Sequence, residues 1–128
     1  MEEFGTKIEK LPFDNLKEIK EIHRHDGPLL VQYCDENNND VLFAWVNCDE
    51  NYHRWLVVNV AHNMLTAYLN NKIPYYELLT SNKDDIFYFL DIDDQFKRYN
   101  YRSSTLSEIP DGYLPSIDCL YHDDEEFL

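Results

Sequence analysis

The chain has 128 residues, 44% of them hydrophobic and 15% aromatic, with twenty-five acids against eleven bases and a formal charge of −14. That is the length of one domain, with enough apolar content to fold without a metal or disulfide. The charge argues against nucleic acid and anionic lipid as partners, because both need Lys and Arg at the contact; it suits a basic protein partner, or simply solubility.

In chain order, residues 1–13 read as a lead-in with a weak strand or turn. Leu16, Ile19 and Ile22 are three apart, which suits a helix. The turn signal from His25 to Pro28 and the apolar run Leu29–Cys34 favour a first strand ending near His25, in a hairpin. Asp35–Asp40 is a turn by composition. It joins the strand at 29–34 to one at 41–48; the turn Asp49–His53 leads to a third at Arg54–Val60, giving an antiparallel meander. Met64, Leu65, Tyr68 and Leu69 then have helical spacing over His62–Asn71, with Asn70 and Asn71 as stop residues. Pro74 opens a second short helix, Pro74–Thr80. Ile86–Ile92 is rich in aromatic and β-branched residues and predicts a strand, and Phe96–Tyr101 a further one.

From Ser103 onward, Pro110, Gly112 and Pro115 predict an extended arm, 103–122, packed by Ile109, Tyr113, Leu114, Ile117, Leu120 and Tyr121. An acidic tail follows over 123–128. The expected fold class is α+β: one domain over 1–128, with its folded core at about 11–102, and an antiparallel β-sheet meander with one or two short helices after the third or fourth strand. The opening residues lack a basic region before an apolar run, and no stretch nears the ~20 apolar residues of a membrane span. The expectation is a cytoplasmic protein with Cys34, Cys48 and Cys119 as reduced, partly buried thiols.

The middle of the chain resembles an uncharacterised bacterial domain family. The residues that carry the likeness are Gly27-Pro28, Leu42-Phe-Ala-Trp-Val46, Trp55-Leu-Val-Val58, Leu65 with Leu69, Leu78-Leu79, Ile86 to Asp91, and Leu114-Pro115-Ser116. The resemblance covers about residues 11–120. It implies a small stand-alone protein, in some genomes near toxin or anti-phage genes, and carries no activity.

Motifs for chemistry are sparse. Gly5, Gly27 and Gly112 stand too far apart for a phosphate loop, and neither a nucleophile elbow nor a His-Glu-x-x-His pair is present. Asp35, Asn37 and Asn39 begin like a calcium loop, but Asp40 and Val46 stand where glycine and glutamate are needed. Glu18 and Lys20 match half of a nuclease motif, with Asp14 too close to complete it. His23 and His25 would share one side of a strand, a weak metal pair at most. His122, three residues after Cys119, is a remote candidate for a thiol's base.

What remains is acid and aromatic. Phe43, Trp45, Trp55, Phe87 and Phe89 are expected in the core. Tyr52, Tyr75, Tyr76, Tyr99, Tyr101, Tyr113 and Tyr121 sit beside acids, Asn or Pro, a setting that suits protein interfaces as well as the edge of a small core. The leading expectation is a non-enzymatic acidic protein-binding module of the immunity, antitoxin or anti-defence type. It would use Tyr52, Tyr99, Tyr101, Tyr113, Tyr121, Asp91, Asp93, Asp94, Asp123 and Asp124 to mask a basic partner, with no cofactor and no metal. The alternatives are a structural or regulatory subunit or homodimer, and an enzyme with a carboxylate site at Asp91, Asp93 and Asp94.

Overall fold

The computed structural model describes residues 16–81, 86–93, 99–117 and 119–120. Six strands form one antiparallel sheet in sequence order: β1 (Lys17–Arg24), β2 (Pro28–Cys34), β3 (Asp40–Cys48), β4 (Tyr52–Val60), β5 (Phe87–Asp93) and β6 (Tyr99–Ser104). Helices α1 (His62–Leu69) and α2 (Tyr75–Thr80) both lie in the connection from β4 to β5. The α+β meander expected from the pattern is the fold. The segment after β6 is less extended than expected, since two 3-10 turns, Leu106–Glu108 and Asp111–Tyr113, fold it back.

Local chemistry sets each turn. Between β1 and β2, Asp26 has φ 56° and Gly27 φ 140°, the latter a conformation that side chains rarely adopt. Pro28 then starts β2. Between β2 and β3, the Asp35 carboxylate accepts the backbone N–H groups of Asn37 and Asn39, each at 2.9 Å, and Asn38 takes φ 63°. The residues that begin like a calcium loop are thus a turn closed by its own aspartate. Asp49 repeats the device between β3 and β4, accepting from Asn51 at 2.8 Å and Tyr52 at 2.7 Å. Helix α1 stops where the two asparagines predict it: Asn71 is left-handed at φ 61°, and Lys72 N–H reaches back to the Ala67 carbonyl at 2.8 Å, the pattern of a Schellman end.

One face of the sheet is covered by the helices. Leu30, Leu42, Ala44, Leu56, Val58, Val60, Phe87 and Phe89 pack there against Leu65 and Tyr68 of α1, and against Tyr75, Leu78 and Leu79 of α2. Ile109 closes the layer, and the Tyr75 N–H binds the Cys119 carbonyl at 2.7 Å, holding the end of the arm. Tyr68 is fully buried, and its hydroxyl meets His23 Nε2 at 2.5 Å. His23 therefore faces the helices while His25 sits in the turn beyond β1. They do not form a pair, because register shifts around His23 break the strand's alternation.

The same face holds a buried ion pair. Arg54 donates from Nε to Asp91 Oδ1 at 2.8 Å and from an η nitrogen to Oδ2 at 2.9 Å. Asp91 is opposite Arg54 in the β4–β5 ladder, and the two residues are 5% and 4% exposed. Burial by itself would lower the Arg54 pKa. Hydrogen bonds and charge from Asp91 and Tyr113 outweigh it and raise the value. Removing one partner of such a pair strands the other charge, so Asp91→Ala should destabilise by about 3–5 kcal/mol. Urea unfolding measures this, and an Arg54→Met, Asp91→Leu double variant should recover most of the loss; a small cost for Asp91→Ala alone would show that the pair does not fasten β4 to β5.

Burial also raises the Tyr75 phenol, with Cys119 adding to the effect, above its ordinary 10.0. Below that pH the phenol is neutral folded and unfolded, and its contribution to stability is complete. As pH climbs past it, the unfolded phenol ionises first, and the contribution is lost. The melting temperature should therefore fall as pH rises above about 10, and fall less in Tyr75→Phe.

Candidate functional site

An antiparallel sheet with one wet face alternates apolar and polar residues along each strand. This one does not. In β3 the five residues Asp40–Ala44 are all buried, as are Arg54–Val58 in β4. The second face consequently carries its own apolar layer: Val31, Val41, Phe43, Trp55, Val57 and Leu90, ringed by the half-buried Leu16, Tyr33, Trp45, Tyr88, Ile92 and Tyr101. The buried residues of α1 and α2 all belong to the first face, so neither described helix covers the second.

Two concavities open on that face. The larger, about 570 Å³, lies at the sheet end where the β1–β2 turn meets the ends of β3 and β5 and the start of β4. It is lined by His25, Asp26, Gly27, Pro28 and Leu29, by Trp45, His53 and Trp55, and by Ile92 and Asp93. Its volume is that of a small-ligand or side-chain pocket. The smaller, about 340 Å³, shares Pro28, Trp55 and Ile92 with it and adds Glu18, Glu21, Arg24, Val31, Tyr33 and Phe43. The two therefore adjoin. Apolar and aromatic groups dominate both linings, and carboxylates stand among them.

Strand register explains why the indoles meet. Trp45 and Trp55 are directly opposite one another in the β3–β4 ladder, and cross-strand neighbours on one face touch. The Trp45 indole N–H donates to His53 Nδ1 at 3.0 Å. An indole nitrogen only donates, so Nδ1 accepts and the proton of neutral His53 is on Nε2. This bond fixes the plane of the Trp45 ring. In the adjoining concavity the Tyr33 phenol is raised by burial first, then by the Glu18 and Glu21 carboxylates, whose field therefore reaches into the apolar lining. Arg24 lies there too, its guanidinium on Glu21 at 2.6 and 3.0 Å.

The residues expected to form a tyrosine and carboxylate surface do not make one patch. Asp91 belongs to the core beside Arg54. Tyr113 is half-buried on the helix side, edge-on to Phe89 at 5.7 Å between ring centres. Its hydroxyl accepts from Arg54 at 3.4 Å and Asn47 at 3.3 Å. Tyr101 is half-buried on the opposite face, 6.0 Å from Tyr88. Tyr52 is half-buried and opposite Asp93 in the β4–β5 ladder. Tyr99 lies in β6, paired in register with Ile92. Of the described side chains in the expected set, Asp93 alone lines the larger concavity. Asp94, Tyr121, Asp123 and Asp124 lie outside the described residues, as does His122. Tyr75, whose setting suited an interface or the edge of a small core, is core.

Among the described residues, no group of three His, Cys, Asp or Glu could hold a metal ion. Cys34 and Cys119 are half-buried free thiols, and Cys48 is exposed. No described helix is long and apolar enough to cross a membrane. Comparison of the chain with protein-family models, with curated proteins and with solved structures finds no match.

The Trp45 indole N–H has its acceptor in His53. In a Trp55→Phe background, His53→Ala should shift Trp45 emission and lower its anisotropy; emission and anisotropy unchanged in His53→Ala would show that the ring is held by something else.

Proposed function

We propose that this protein is a non-enzymatic binding module, of the immunity, antitoxin or anti-defence type, that masks a basic surface of another protein. The reading rests chiefly on one observation: the face of the sheet that neither described helix covers presents an aromatic concavity with carboxylates in its lining, on a chain of charge −14. Apolar area supplies the driving force for a complex, and the acids supply selection for a cationic partner and a fast encounter. Among the described residues, the larger concavity is lined by two carboxylates and by no Lys or Arg. The carboxylates would take the place of the phosphates that a basic nuclease surface ordinarily meets.

Association with a second copy is a weaker reading, because two copies carry like charge. The edges also oppose it. Strand β1 is largely charged and exposed, and its register is broken at three places, a pattern that deters edge pairing.

Calorimetry with an arginine-rich peptide tests the proposal. Binding is expected at low salt, weakening by about tenfold or more between about 50 and 500 mM salt as charges are screened. An uncharged peptide of matched length should not bind. Absence of binding, or affinity indifferent to salt, would remove the reading; light scattering that gave a stable, salt-insensitive dimer would favour self-association instead.

A further inference from the structure

We propose that the larger concavity is a guanidinium site, which seats an arginine side chain of the partner on the half-buried indole of Trp45, beside the buried Trp55. This rests on the reading of the protein as a binder of basic surfaces, and it names the group recognised and the residues that recognise it.

Three observations converge on that chemistry. The first is the walls. Trp45, half-buried, lines the concavity, with the buried Trp55 opposite it in register behind it, and indole is the best of the aromatic rings for holding a cation. Trp45 is already fixed in plane by His53, so less ordering is lost when a ligand docks. The second is charge. Among the described residues, the lining adds Asp26 and Asp93 to these rings and contains no Lys or Arg. A cation is favoured there and an anion opposed. The third is the adjoining concavity, whose lining includes the chain's own exposed Arg24, bonded to Glu21, together with Tyr33, Phe43 and Trp55. A guanidinium on a carboxylate thus already stands at the margin of this face.

Arginine fits these walls better than lysine. A guanidinium is planar and weakly hydrated, so it lies flat on an indole and loses little solvation in doing so; an ammonium is compact and strongly hydrated. Its flat fork also matches a carboxylate edge with two parallel hydrogen bonds. The volume of about 570 Å³ exceeds one side chain, and leaves room for the residues on either side of the arginine in an extended segment. Pro28, Trp55 and Ile92, common to both concavities, lie along the course such a segment would follow.

The test uses the full chain and three peptides of equal length, rich in arginine, in lysine or in norleucine, read by calorimetry and by tryptophan emission. The arginine peptide should bind tightest, the lysine peptide about threefold or more weaker, and the norleucine peptide weakest, with emission changing on binding. Trp45→Ala should weaken the arginine peptide about five- to tenfold, and Trp45→Phe by less, because a ring remains. Asp93→Asn removes a rim charge while keeping a polar side chain of the same shape, and should weaken arginine binding. Should Trp45→Ala not fold, Trp45→Phe and Asp93→Asn decide the matter. Equal affinity for arginine and norleucine peptides, or undiminished arginine binding in both Trp45→Phe and Asp93→Asn, would overturn the guanidinium site. Salt-sensitive binding that survives those substitutions would overturn this site yet leave the broader reading standing, whereas a chain that bound no basic peptide would lose both.

Discussion

A sheet that is apolar on both faces needs two covers, and this constraint organises the rest of the molecule. Strands β3 and β4 lie at the centre and are buried on both sides over runs of five residues. Helices α1 and α2 have eight and six residues, so at about 1.5 Å per residue they span roughly 12 and 9 Å. Both sit in the single connection from β4 to β5, and both pack on the face of Leu42, Leu56 and Phe87. The other face keeps its large side chains. Val57 and Leu90 are 1% exposed beneath neighbours that include two Trp and three Tyr. What this face leaves in part to water is its ring of half-buried side chains, Tyr33, Trp45, Tyr88, Ile92 and Tyr101, which no described helix covers.

Polar groups are distributed unequally between the faces, for a reason of the same kind. The helix face carries the buried Arg54–Asp91 pair, Tyr68 with His23, and Gln32 with Asp40, whose carboxylate also meets His62 at 2.7 Å. Each of these bonds spans two elements: β4 with β5, β1 with α1, β2 with β3, and β3 with α1. A buried pair of charges contributes little net stability over an apolar substitute, but it tolerates one register only. Sliding β5 by one residue would send Asp91 to the opposite face and leave Arg54 alone in the core. Tyr113 extends this network to the arm through its bonds to Arg54 and Asn47. The polar groups of the helix face thus act to fix one arrangement, while those of the other face, Glu18, Glu21, Asp26 and Asp93, stand at the margins of its concavities.

Much of the fold was legible because turn chemistry is local. Asp35 and Asp49 announce turns that they then close with their own carboxylates, Gly27 supplies the one backbone conformation that other residues avoid, and Asn71 ends α1. The site was much less legible. Strand alternation tells which face a residue occupies only when one face is polar, and Val41–Ala44 and Trp55–Val58 contain no polar residue. Trp55 reads as core and is core, whereas Trp45, also expected there, is half-buried, and nothing in their spacing says which face the described helices leave uncovered. Their pairing depends on a register set by the β3–β4 turn and by the irregularity between Trp45 and Asn47. Asp91 misleads for the opposite reason. A carboxylate near a strand end reads as surface until its partner, thirty-seven residues away, is known. The tyrosines mislead by number: Tyr68 and Tyr75 are core, and Tyr113 and Tyr101 lie on opposite sides of the sheet.

Charge and aromatic surface then have separable parts in binding. A field of many exposed carboxylates acts at a distance; it raises the rate of encounter with a basic protein and weakens as salt shortens its range. Such charges contribute little once the complex is formed, because each is solvated before and after. Lifetime is instead set by groups that leave water on contact. In the proposed complex those would be Trp45, held by His53, and its half-buried neighbours on the second face, Trp55 being already within the layer below. Net charge alone would give a promiscuous polyanion, and an aromatic face alone would collect any apolar surface. Carboxylates set among indoles favour a cation with a flat face that can meet both at once, and the difference between the two contributions is the basis of selectivity.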